Sequence, residues 1–232
     1  MYILKPVASS CGRGIKVIGK KTKITRREGY LASKYVSKPH LINGLKYDLR
    51  VYVLVAGFDP LRIYVYNEGL VRFATEEYTL NPNDLQKRFV HLTNFSVNKK
   101  SEKFVSNKNN GEDEENSSKW SFKALRKAYE ERGINYDYVF AQVKDVIVKT
   151  LISVEPHVVS NLNKCPGNRT SCFELFGFDV LIDKKLKPWL LEVNVLPSLS
   201  SSSPFDKTVK TMLICDILTL VGIRGYDKKK VH

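Results

Sequence analysis

The sequence predicts an α+β, or mixed α/β, fold. Short runs rich in Val, Ile, Tyr and Leu, separated by turn signals, fill the first third of the chain. Two stretches with apolar residues at helical spacing follow, and then two more strand-like runs and a last helix close the chain. Strands, helices and strands in successive blocks describe layers of sheet and helix around a shared core.

The expected strands are Tyr2 to Val7, Ile15 to Ile18, Tyr30 to Val36, Lys46 to Ala56, Leu61 to Tyr66 and Leu70 to Ala74. CGRG, NG, DP and NEG supply the turns between them. A polar stretch, residues 106–118, has too little hydrophobicity for a core and reads as a mobile insertion. Trp120 to Glu131 reads as a short helix. Val139, Val143, Val146, Ile147, Leu151 and Val154 predict a longer one, from Tyr138 to Pro156 or a little beyond. Strands over Cys172 to Ile182 and Trp189 to Val193 come next, and a helix from about Phe205 to Val221 ends at Gly222.

With 232 residues, 43% of them hydrophobic, the chain has enough apolar material for one or two ordinary cores. Its formal charge of +14 favours an anionic partner: nucleic acid, an acidic membrane, nucleotide phosphates or an acidic peptide. Aromatic residues sit mostly inside strands beside apolar neighbours, a core pattern that argues against nucleic acid. Cys11, Cys165, Cys172 and Cys215 form no C-x-x-C pair, so zinc and a redox dithiol are not expected. The longest apolar stretch near the end, MLICDILTLVGI, is interrupted by Asp216 and too short to span a bilayer, so no membrane is expected.

FDVLIDKKLKPWLLEVNVLP, residues 178–197, places two carboxylates and an amide inside apolar runs. If DKKLKP reverses the chain between Lys185 and Leu186, Asp179 faces Glu192 across an antiparallel pair, with Cβ atoms about 5 Å apart. Like charges so placed need a compensating cation. Asn194 shares the face of Glu192, since side chains alternate. Carboxylates with an amide oxygen suit magnesium. An ion pair with Lys or Arg explains the geometry equally well.

KPVASSCGRGI ends a strand at Lys5 and returns to one at Ile15 through a loop with Gly12, Arg13 and Gly14, which permits close backbone approach to phosphates without the form of a Walker loop. In KYDLRVYVLV, Lys46, Asp48 and Arg50 alternate with apolar residues and share one strand face. Such a row is either a solvated ion-pair face or a nucleotide-binding one. Arg72, His91, Thr93 and Asn94 are equally ambiguous singly.

In order along the chain, KPVASSCGRGI, KYDLRVYVLV, DPLRIYVYNEGLVRFA, HLTNFSVNK, SCFELFGFDVLID and LKPWLLEVNVLPSLSSSSPFD resemble the tubulin tyrosine ligase-like family, in its polyglutamylase branch. The resemblance implies an ATP-grasp fold of the glutathione synthetase type. By position, Lys5 contacts ATP phosphates; Lys34, Tyr35 and Val36 line the adenine pocket; Lys46 and Asp48 hold the nucleotide, Asp48 through its ribose. Arg50 meets the γ-phosphate, Arg72 the carboxylate of the incoming amino acid, and Thr93 and Asn94 lie beside the nucleotide. Asp179, Glu192 and Asn194 ligate Mg2+. The implied reaction adds free L-glutamate to γ-carboxylates of acidic tubulin or microtubule tails through an acyl phosphate, by a monomer in the cytoplasm on the cytoskeleton, with the cilium or basal body as a finer address.

Cys11, Ser33 and Phe95 stand where the branch usually has Arg, Gln and Tyr. The chain is expected to be one ligase domain over 1–232, truncated before the Lys5 strand, where the family carries an amino-terminal domain. A non-catalytic module that binds tubulin tails is the alternative.

Overall fold

The structure, a computed structural model, describes residues 1–7, 9, 12–19, 22, 29–107, 114–164 and 172–222. Two antiparallel sheets organise them into a mixed α/β fold. In the smaller sheet, β1 (Tyr2–Pro6) lies between β2 (Lys16–Ile18) and β3 (Tyr30–Lys34). The larger contains β4 (Leu41–Ile42), β5 (Leu45–Phe58), β6 (Leu61–Phe73), β7 (Lys119–Trp120), β8 (Glu174–Ile182) and β9 (Pro188–Asn194). Its order is β7-β6-β5-β8-β9, with β4 also on β5. The helices are α1 (Arg88–His91), α2 (Phe95–Asn98), α3 (Phe122–Glu130), α4 (Tyr136–Leu162) and α5 (Pro204–Leu220).

Alternation along β5 divides the molecule. Tyr47, Leu49, Val51, Val53 and Val55 point one way and, with Phe178, Val180 and Ile182 of β8, bury against Leu125, Val139, Val143 and Ile147 of α3 and α4. On the other face Tyr52 and Leu54 pack under Leu213 and Ile217 of α5, while Lys46, Asp48 and Arg50 precede them in the same row. The polar end of that row is therefore held on a rigid central strand. Asn43 and Gly44, both at positive φ, form the two-residue hairpin between β4 and β5.

Three expectations are corrected. The two strands foreseen over Leu61 to Tyr66 and Leu70 to Ala74 are one, β6, because NEG is a bulge against β5, where the pairing passes from Val51↔Gly69 to Val53↔Val65. Gly69 serves close packing: an added Cβ would lie 2.6 Å from the Arg50 carbonyl oxygen. The long helix does not stop near Pro156 but continues to Leu162, since Val158, Val159 and Leu162 pack against the core and offset the hydrogen bond that the proline removes. Trp120 belongs to β7, and α3 starts after Ser121, whose side chain accepts from the Ala124 N–H.

Of the polar stretch 106–118, residues 108–113 lie outside the described residues. At its described ends Asn107, Ser117 and Ser118 are buried, and Asn107 Nδ2 donates to the Lys119 carbonyl at 2.9 Å. Among the described residues no helix is long and apolar enough to cross a membrane.

Candidate active site

A cleft of about 190 Å3 opens between the two sheets. Lys5 of β1 and Lys34, Tyr35 and Val36 at the end of β3 line it from the small sheet. The large sheet contributes Lys46, Asp48, Asp179 and Glu192, and the segment between α1 and α2 contributes Thr93 and Asn94. Ile3, Ile15, Leu181, Trp189 and Leu190 add apolar surface of the kind that receives a flat ring.

Strand register assembles the charges. Arg50 lies opposite Asp179, and Asp48 opposite Arg72. Arg50 Nε donates to Asp179 Oδ1 at 2.6 Å; Arg72 grips Asp48 with two bonds, 2.8 and 2.6 Å, and reaches Asp179 Oδ2 at 2.8 Å. Thr93 Oγ1 donates to Asp48 Oδ2 at 2.7 Å. Burial alone would raise the Asp179 carboxyl, but Arg72 and Arg50 override it and hold the group well below the usual carboxylate range. Burial opposes the Arg72 charge too, and its two aspartates keep it protonated.

Beside this network runs a buried relay. His91 Nε2 faces the Asp84 carbonyl oxygen at 3.2 Å; because a carbonyl only accepts, Nε2 carries the proton. His91 Nδ1 then accepts from the Tyr35 hydroxyl at 3.0 Å. Lys46 Nζ donates to Tyr35 Oη at 3.3 Å and to the His91 carbonyl at 2.7 Å, leaving one N–H to direct elsewhere. Burial pushes the Lys46 ammonium down to about 8 and lowers His91 as well.

The hairpin of β8 and β9 supplies the carboxylate pair. Asp183 receives the Lys185 and Lys187 N–H groups and closes the turn. Ile182↔Pro188 and Val180↔Leu190 pair in one register, and Asp179↔Glu192 in the next, so Leu191 is a bulge. Burial and the Asp179 charge raise the Glu192 carboxyl above its ordinary value. Asn194 Nδ2 donates to the Gly177 carbonyl at 3.1 Å, which frees its carbonyl oxygen as an acceptor. Both Asp179 oxygens are held by Arg50 and Arg72, the ion pair that the sequence left open, so the Glu192 carboxyl and the oriented Asn194 amide oxygen are the hard-oxygen donors left to suit Mg2+.

A second hollow, of about 340 Å3, shares Asn94 and Glu192 with the cleft. Arg50, Arg72, Lys119, Lys210 and Asp206 line it. Lys119 Nζ donates to Asp206 Oδ2 at 2.7 Å and to Ser202 Oγ at 2.9 Å, and lies 4.0 Å from the Phe95 ring centroid. Asp206 is buried, and its Oδ1 has no hydrogen-bond partner among the described residues.

Residues 1–230 match the Tubulin-tyrosine ligase family. The chain belongs to that family. It is 47% identical over 221 residues to tubulin monoglutamylase TTLL4 of Homo sapiens, covering 95% of this chain and 18% of that protein. It is 46% identical over 226 residues to tubulin polyglutamylase TTLL5 of Homo sapiens, covering 97% and 18%. With tubulin polyglutamylase TTLL6 of Mus musculus it shares 44% over 235 residues, covering 99% and 28%. The chain thus spans between about a fifth and somewhat over a quarter of the length of these family members.

Of the residues that the tubulin-tyrosine ligase resemblance singled out, Lys5, Lys34, Tyr35, Val36, Lys46, Asp48, Thr93, Asn94, Asp179 and Glu192 line the cleft. Arg50, Arg72 and Asn194 line the second hollow. Arg13 faces a third, and Gly12 rests on Asn94 and Val97. Both oxygens of Asp48 are already taken, by Arg72 and Thr93. Ser33 lines the cleft and Phe95 the second hollow, while Cys11 lies outside the described residues. Sequence reasoning missed Lys119, Asp206 and Lys210, which β7 and α5 bring together; the one available signal was a lysine directly before Trp120.

Proposed function

We propose that the chain carries the catalytic centre of an ATP-grasp ligase that joins free L-glutamate to γ-carboxylates of acidic tubulin tails. One observation carries this reading: two hollows of different charge pattern meet at Asn94 and Glu192. The cleft pairs apolar surface with Lys5 and Lys46 and with two apposed carboxylates, as a nucleoside triphosphate requires. The second hollow offers Arg72, Lys119 and Lys210 with one unsatisfied Asp206 oxygen, a pattern that matches a zwitterionic dicarboxylic amino acid. The family relatives are named tubulin glutamylases.

In this reading Tyr35, Val36 and Trp189 receive the base, and Lys5, Lys46 and Arg50 the phosphates. Glu192 and Asn194, with Asp179 beside them, would hold Mg2+, which would offset the charge that builds on the phosphate oxygens. An acceptor γ-carboxylate oxygen attacks the γ-phosphorus; that O–P bond forms as the bond to ADP breaks, giving an acyl phosphate. The amine of free glutamate, having released a proton to solvent, then attacks the acyl carbon and inorganic phosphate leaves. Positioning and fixed positive charge do the catalysis. The Gly12 to Gly14 loop stands close to Asn94 and supports that wall. Such an enzyme works in the cytoplasm on microtubules, including those of cilia and basal bodies. The test is mass spectrometry of tubulin tails after incubation with the chain, ATP, Mg2+ and glutamate: added glutamyl residues are expected, and unmodified tails would refute the reading.

A further inference from the structure

A third hollow, of about 710 Å3, shares no carboxylate with the other two. Arg13, Lys87, Arg88, Lys99 and Lys100 line it, with Glu76 as the acidic member. Lys87 pairs with Asp84 at 2.9 Å, and among the described residues Glu76 and Asp84 are the acidic groups beside these cations. Arg88 is fixed in place, its Nη2 donating to the Gly12 carbonyl at 2.9 Å, while Lys99 and Lys100 stand exposed just after α2.

Position gives this charge a meaning. Ser96 lines both this hollow and the cationic one beside Glu192, and Asn94 connects the latter to the cleft. A continuous wall, Asn94 to Val97, thus leads from a wide basic surface to the carboxylate pair. We infer that this third hollow is a docking surface for the acidic acceptor peptide, holding several of its carboxylates while one glutamate further along passes Ser96 to reach Glu192. The inference rests on the ligase reading for its partner, and on the hollow's own charge for its location. A peptide with carboxylates at successive residues fits because spread-out cations on long side chains tolerate many backbone registers, and complementary charge speeds encounter.

The test is fluorescence anisotropy of a labelled glutamate-rich peptide, with the parent chain, Lys99→Glu/Lys100→Glu, and a charge-matched control on the helical face, Lys123→Glu/Lys149→Glu. Because all four lysines are exposed, neither double variant disturbs a buried contact. The docking variant should weaken binding at least about tenfold, in a salt-sensitive way, while the control should change it less than about twofold. Equal losses in the two variants, no loss in the docking variant, or no binding by the parent chain would overturn the inference. Selective loss of peptide binding in a chain that ligates no glutamate would sink the ligase reading and leave the surface standing. Ligation with the same peptide KM in the docking variant would do the reverse.

Discussion

Asp179 and Glu192 face each other across β8 and β9 only because Leu191 bulges. The turn is centred on Lys185, as Ile182↔Pro188 shows, and a regular ladder from it would set Leu191 opposite Asp179 and turn Glu192 to the other face. One extra residue in β9 exchanges an apolar partner for a carboxylate. A bulge beside a reactive centre is a common way to re-aim one side chain.

Glu192→Gln should therefore leave folding within about 0.5 kcal/mol of the parent, since the amide removes a carboxylate that its like-charged neighbour Asp179 disfavours. Thermal melts check this. Mg2+ with ATP should raise the melting temperature of the parent chain, a chelator should reverse the rise, and the variant should lack it. An equal Mg2+-dependent rise in Glu192→Gln would remove Glu192 from the metal set.

Arg72 has a structural duty that any assay must separate from catalysis. It neutralises Asp48 and Asp179, both buried, so Arg72→Ala should cost about 3–5 kcal/mol in urea denaturation. Lost ligation in that variant alone says nothing about amino-acid binding. A stable Arg72→Ala would contradict the network.

Lys46 gives a pH prediction. Its buried ammonium, pushed down to about 8, loses its proton in the free protein as pH rises past that value, while bound phosphates would hold the proton on. ATP affinity should accordingly fall as pH rises above about 8, by up to about tenfold per pH unit until the bound form also titrates. Folding moves in the opposite sense: a lowered lysine pKa makes the folded state gain stability as pH climbs from about 8 toward the ordinary value of 10.5. Lys46→Met should flatten both profiles, as read by nucleotide titration and by melts across pH.

Gly69→Ala should destabilise the chain by about 1–3 kcal/mol, because the new methyl group would meet the Phe122 ring and, 2.6 Å away, the Arg50 carbonyl. The same glycine shows where sequence reading stops. NEG spells a turn in isolation, and only the long partner strand β5 makes it a bulge. The helix runs further past Pro156 than expected for a like reason: the packing of Val158, Val159 and Leu162 outweighs a local rule. The alternating polar row on β5 and the opposed carboxylates were legible because strand period and turn position are local quantities. Asp179 and Glu192 do pair as expected, although the turn lies half a residue from where that expectation placed it, and the bulge makes up the difference.

The second hollow was not legible. Lys119 and Asp206 meet across 87 positions of sequence, and neither carries a motif. Pairings of this kind depend on β7 lying at the sheet edge beneath the start of α5, a tertiary fact.

The acyl phosphate is tested most directly by following an oxygen atom. An acceptor peptide whose glutamate γ-carboxylates carry a heavy oxygen isotope is incubated with the chain, ATP, Mg2+ and glutamate, and the inorganic phosphate is analysed. An acyl phosphate requires one labelled oxygen to leave with phosphate for each glutamate joined, and Glu192→Gln should lower that transfer at least about 100-fold. Ligation with unlabelled phosphate would rule out the acyl phosphate, and label transfer undiminished in the variant would remove Glu192 from the reaction.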